Sequence, residues 1–196
     1  QRFFFHFWIF IEIPDNFIQM INNLFNQLII TITPFLPRWI VWKIAGRYVA
    51  GETSAKALAV VRQLNDKGYS ATVDILGEHT NSKSEAAEIT REYMNIYDEI
   101  SKQKLDCNIS IKPSHIGQDI SNEILQTNLD KLLLKAEETN NFLRIDMENS
   151  TVTDNTISLY KSCRKKYKNV GTVFQAYLYR SQSDLEQLSQ NGSFNF

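Results

Sequence analysis

Cysteine is scarce in this 196-residue chain, with only Cys107 and Cys163 present. Two isolated thiols make neither a disulfide framework nor the paired spacing of a zinc site, so a reducing compartment is the simpler setting. An excess of one charge is also missing, because 21 Lys and Arg stand against 22 Asp and Glu. A nucleic-acid partner is therefore not expected. The one basic cluster, Arg164 to Lys168, falls where a helix should end and cations complement its dipole. No GxGxxG phosphate cradle occurs among the seven glycines. Long apolar runs are lacking too: the aromatic opening QRFFFHFWIF meets Glu12 and Pro14 well before the roughly 20 residues that a bilayer span needs. It has one basic residue and no small-residue cleavage site, so it does not read as a signal peptide. The apolar stretch Leu28 to Trp42 is broken by Pro34, Pro37 and Arg38, and packing against the domain is expected of it rather than membrane contact.

What is present is a repeated strand with two faces. In FLRIDMENS (Phe142 to Ser150) the apolar Leu143, Ile145 and Met147 alternate with Arg144, Asp146 and Glu148. A strand covered by helices on both faces would be apolar throughout, so this alternation implies that one face looks into a polar, functional space. ATVDILGE (Ala71 to Glu78), NISIKPS (Asn108 to Ser114) and GTVFQAY (Gly171 to Tyr177) repeat the design. Each places a polar group near its C-terminal end: Asp74, Lys112, Asp146 and Gln175.

Helical spacing fills the intervals. Phe17, Ile18, Ile21, Leu24, Phe25 and Leu28 mark an N-terminal helix, and Thr53 or Ser54 caps the next, which ends near Gly68. Helices are expected over about Ser84 to Lys104 and Ser121 to Glu138, and another is expected to be capped by Thr153 or Asp154. A Ser183–Glu186 capping box is expected to open the last helix. The order is N-terminal helices and then four strand–helix units, an α/β pattern that closes either as a doubly wound sheet or as a (β/α)8 barrel. Polar groups at every strand end favour the barrel, of which about four units are here. The expected division is an apolar helical segment over 1–46 and a barrel domain over 47–196.

Lys112 and Asp146 form the sharpest pair, since opposite charges on neighbouring strand ends can hold each other ionised and orient a zwitterionic substrate. Two other readings stand beside it: a structural ion pair at the rim, and a Schiff-base lysine of an aldolase-like enzyme. His79 and His115 lack partners at ligand spacing, and no metal site is expected.

RYVAGET, ATVDILGEH, NISIKPSHIG, NNFLRIDMENS and NVGTVFQAYLYR, in this order, resemble the monofunctional L-proline dehydrogenases from about Arg47 to Leu188. The resemblance implies an FAD-bound barrel that oxidises L-proline to Δ1-pyrroline-5-carboxylate, the first step of proline catabolism, and passes electrons to a quinone. It implies that Lys112 meets the proline carboxylate, that Asp146 is catalytic, that Met147 lies against the flavin and that Gln175 bonds to it. Asp74 and Glu78 receive a supporting role. The implied location is the cytoplasm with peripheral contact at the inner membrane, or the mitochondrion in a eukaryote. The family's further RLxKGAY strand and late paired arginines are missing from this sequence. The chain, which begins with Gln1 and stops at Phe196 just past a turn-like Asn191-Gly192 pair, thus reads as a fragment, expected to be inactive alone. Proline-dependent dye reduction by the purified 196-residue chain would overturn that expectation.

Overall fold

Alternation of apolar and polar residues, clearest in the second and third strands, lets one face of a sheet be buried while the other stays polar. The structure, a computed structural model, describes residues 49–189 together with 27, 28, 31 and 37. The chain divides into two compact units, 1–50 and 51–196. In the first, positions 27, 28 and 31 are helical; the rest of the expected N-terminal helix, the aromatic opening and most of the 28–42 stretch lie outside the described residues.

The second unit contains β1 (Ala71–Val73), β2 (Cys107–Ile111), β3 (Leu143–Ile145) and β4 (Val170–Thr172). Between and around them run α1 (Ser54–Asn65), α2 (Lys83–Gln103), α3 (Asn122–Glu138), α4 (Thr153–Lys166) and α5 (Ser181–Ser189), with a 3-10 turn at Pro113–Ile116. All strands are parallel and lie in the order β1-β2-β3-β4, with Val73 opposite Ile109, Ile111 opposite Ile145, and Ile145 opposite Thr172. A doubly wound sheet would reverse its strand order at a switch point. This one does not, and the right-handed crossover that is the rule for parallel strands lays the connecting helices α2, α3 and α4 on one side, as in a (β/α) barrel.

The helix starts follow local chemistry. Thr53, Ser82 and Ser121 each accept a backbone N–H of the following turn through the side-chain hydroxyl, at 3.3, 3.2 and 3.2 Å, respectively. Two expected caps are corrected. Val152, which has no polar side chain, stands at the cap position of α4, and Thr153, already inside the helix, donates its hydroxyl backward to the Asn149 carbonyl at 3.1 Å. The Ser183–Glu186 box does not form: α5 begins two residues earlier, and Ser183 lies inside it, donating to the Arg180 carbonyl at 2.8 Å. Arg180 grips Asp184 four residues on with Nε at 2.6 Å and Nη2 at 3.0 Å, which draws the helix start back toward it.

The core lies between the sheet and its helices. Ile109, Ile111, Leu143, Ile145 and Val170 project from the strands onto Tyr93, Tyr97 and Ile100 of α2 and Leu129, Leu132 and Leu133 of α3. Burial pushes the Cys107 and Cys163 thiols up to about 11, so both behave as small apolar fillers rather than nucleophiles. Tyr97 fastens α2 to the start of β3 by donating its hydroxyl to the Phe142 carbonyl at 3.0 Å. Leu129 is fully buried whereas Leu134, on the same helix, is 50% exposed. Leu129→Ala should therefore cost about 2–5 kcal/mol and Leu134→Ala within roughly 0.5 kcal/mol, as read from urea unfolding midpoints at unchanged slope.

Candidate active site

Residues at alternate positions share a sheet face, so Thr72 of β1, Asn108 and Ser110 of β2 and Arg144 of β3 line the side turned away from the helical core. Thr72 donates its hydroxyl to the Asn108 side chain at 2.8 Å across that face. One pleat further on, the chain leaves the strands and the same alternation delivers Lys112 and Asp146. The ladder reaches this far, since the Asp146 N–H bonds to the Ile111 carbonyl at 2.9 Å. The two residues are neighbours, but not the ion pair expected of them. Asp146 turns its Oδ1 back onto the Met147 N–H at 2.9 Å, while Glu78 reaches across from the loop after β1 and takes the Lys112 ammonium at 2.6 Å. That contact, reinforced by the fields of Glu78, Asp74 and Asp146, holds the lysine above its ordinary value despite partial burial. A Schiff-base lysine needs the opposite, a desolvated amine released from its proton. The geometry favours a charged lysine that binds an anion.

Asp74 lies lower on β1's side of the site. It is exposed as a residue, yet the sheet wall beside its carboxyl desolvates it and raises its pKa, although the Tyr93 hydroxyl donating at 2.7 Å, with the field of Lys112, pulls the other way. The same hydroxyl accepts the Ile75 N–H at 3.2 Å, tying α2 to the strand end. Glu78 is drawn below the usual carboxylate value by its hydrogen bond to Lys112.

Gln175 follows β4. Its carboxamide N–H donates to the Met147 carbonyl, and its main-chain carbonyl accepts the Ser181 hydroxyl at 2.6 Å. Met147 itself is buried, packed with Ile157 and Leu188 beside Phe174 and Leu178. Arg180 secures the loop between Gln175 and α5, holding Asp184 on its own helix and Asp154 of α4 at 2.5 Å. The polar face also buries two nitrogens without hydrogen-bond partners, Arg144 Nε and His115 Nδ1.

Sequence reasoning missed several of these contacts. Ser114 and Glu148 are joined by two hydrogen bonds, and Tyr93 on α2 is a donor to Asp74. Glu148 carried a signal, being in phase with Asp146 at a two-residue interval. Gly77 is fixed by its surroundings: its φ is +156°, and a Cβ there would lie 2.4 Å from the His115 ring nitrogen Nε2. Among the described residues no group of three or more His, Cys, Asp and Glu side chains converges as a metal site would.

His79, with φ of 55°, sets its Nδ1 2.6 Å from Asp119 Oδ2. The hydrogen bond and field of Asp119 raise the imidazole above the ordinary histidine value of about 6.5. A raised folded-state value means that the contact's stabilisation is complete below the ordinary value and fades as pH rises through the folded one. An NMR titration of His79 should accordingly give a midpoint above 6.5, and Asp119→Asn should lower it.

Comparison with known proteins follows the same geometry. The family model described as Proline dehydrogenase matches residues 57–193. Proline dehydrogenase 2 of Bacillus subtilis (strain 168) is 37% identical over 150 residues, 76% of this chain and 50% of the relative. Proline dehydrogenase of Deinococcus radiodurans is 31% identical over 179 residues, 86% of this chain and 58% of that one. The chain thus spans about half the length of the curated relatives it matches. Among solved structures, proline utilization A from Bdellovibrio bacteriovorus, inactivated by N-propargylglycine, aligns with a TM-score of 0.66 at 26% identity, covering 72% of this chain and 18% of that one. The protein from Corynebacterium freiburgense shares the fold with a TM-score of 0.64 at 23% identity, over 86% of this chain and 18% of its own. A sequential parallel sheet with a charged lysine and an aspartate on adjacent strand ends, matched by a family model over most of its length, places this chain in the proline dehydrogenase family.

Proposed function

We propose that these strand ends form part of the site of an FAD-dependent enzyme that oxidises L-proline to Δ1-pyrroline-5-carboxylate, the first step of proline catabolism to glutamate. The observation that carries the reading is the Lys112 ammonium, held charged at the end of β2, with the Asp146 carboxylate on the adjacent strand end. Proline is a zwitterion with its carboxylate one carbon from its nitrogen, and a cation beside an anion is complementary to it. Lys112 binds the carboxylate after Glu78 yields its place. Asp146 accepts the proton from the ring nitrogen, because a protonated amine has no lone pair to form the C=N bond as hydride leaves C5.

The residues present suit a flavin in part. Gln175 offers a carboxamide whose N–H is held by the Met147 carbonyl, leaving its oxygen able to accept from a ring N–H, while the Ser181 hydroxyl fixes the Gln175 main-chain carbonyl; Met147 is the proposed apolar contact for the ring. The unpartnered Arg144 and His115 nitrogens mark this face as one with unused polar capacity. When bound, FAD supplies the redox chemistry by accepting the hydride; the protein's share is positioning and electrostatics. Electrons then pass to a quinone, which implies peripheral contact with a membrane from the cytoplasm, or within the mitochondrion of a eukaryote. Among the described residues no helix is long and apolar enough to cross a membrane.

The test is the visible spectrum of the native polypeptide before and after anaerobic L-proline. Flavin bands that bleach are expected, with Lys112→Ala raising the proline KM by about tenfold or more and Asp146→Ala abolishing bleaching. A colourless protein in which borohydride traps a substrate on Lys112 would replace this reading with a lyase.

A further inference from the structure

Glu148 has no part in the reading above, yet it accepts two hydrogen bonds from a single residue of the neighbouring strand end. Its Oε2 accepts the Ser114 N–H at 3.0 Å and its Oε1 accepts the Ser114 hydroxyl. Ser114 is buried, two residues past Lys112, and reaches in turn to the loop after β1. Its carbonyl accepts the Thr80 N–H at 3.3 Å and the Thr80 hydroxyl at 3.2 Å, and its hydroxyl oxygen accepts the His79 N–H at 3.4 Å. One carboxylate therefore anchors a chain of contacts across three consecutive strand ends. Each of them carries a charged group of the site beside the tie: Glu78, Lys112 and Asp146.

We propose that Glu148 is a positioning residue of this site: by fastening Ser114 it holds the three strand ends together and so sets the spacing of Lys112 and Asp146. Its consequence for catalysis rests on the proline-oxidising reading; the tie rests on geometry alone. The first two strand ends are also joined by Glu78–Lys112 and His79–Asp119, each at 2.6 Å, but both of those contacts are exposed whereas Ser114 is buried, and it is the Glu148–Ser114 bonds that carry the tie on to the third end. Hydrogen bonds to a charged acceptor are the stronger kind. The two donors converge on two oxygens, which only a side chain with paired polar atoms can satisfy. Alanine would leave the buried Ser114 N–H and hydroxyl unpaired. Glutamine keeps an oxygen for the N–H and turns its amide toward the hydroxyl, which can accept, so the geometry survives without the charge.

The experiment places Glu148→Gln, Glu148→Ala, Ser114→Ala and the Ser114→Ala/Glu148→Ala double variant in this chain extended to the length of its curated relatives, read by backbone amide NMR and by proline kinetics. Glu148→Ala should displace the amide signals of His79 and Thr80, two loops away, and Glu148→Gln should leave them near their original positions. The proline KM should rise about tenfold in Glu148→Ala with a smaller change in kcat, and Glu148→Gln should restore it. The double variant should be no worse than Glu148→Ala, because residues acting as a unit are not additive. Unmoved His79 and Thr80 signals, or losses that multiply in the double variant, would overturn the proposal. If Glu148→Ala does not fold, Glu148→Asp, one methylene short, takes its place and must move the same amides. Absence of proline oxidation in the unmodified protein would reject the functional reading and leave the amide shifts to decide the tie.

Discussion

A parallel sheet with helices on one side only must give its two faces opposite characters, and the rest of this structure depends on that constraint. Side chains that alternate along a strand cannot all enter the core. In β2 and β3 the apolar half, Ile109, Ile111, Leu143 and Ile145, is completely buried beneath α2 and α3. The other half is then free to be polar without loss of packing, and the charged groups at the strand ends are that half continued past the last ladder bonds.

Charge on this face is managed by neighbours rather than by burial. Glu78 keeps Lys112 protonated, Tyr93 donates to Asp74, and Asp146 satisfies one oxygen on its own chain. An arrangement in which Lys112 and Asp146 bonded directly would leave neither available to a zwitterion. The observed one occupies Lys112 with a carboxylate from a loop, a partner on an element that can move more easily than a strand.

The fold was legible because its signal is periodic. Alternation in FLRIDMENS and NISIKPS, with helical spacing between them, gave the strands, the helices and their order, and the helix limits lie within a residue or two of those expected. Proximity in the sheet could be read for Lys112 and Asp146; pairing could not, because it depends on where the loop after β1 carries Glu78. The two failed caps share a cause. Ser183 and Thr153 both have the right chemistry for a cap, but a bidentate Arg180–Asp184 contact and a bond to Asn149 decide the helix starts from outside the local pattern. Glu148 was visible as an in-phase charge, yet nothing in the sequence distinguished a solvated carboxylate from one that collects two donors of Ser114.

The two thiols, treated so far as packing atoms, also make the chain a timekeeper of its own opening. Cys107 begins β2 and Cys163 lies in α4, and both are inert while their surroundings stay closed. A thiol reagent can label either only during an excursion that exposes it, so the two labelling rates record separately how often the surroundings of the second strand and those of α4 open. With no other cysteine among these 196 residues, the chain offers those two clocks without engineering.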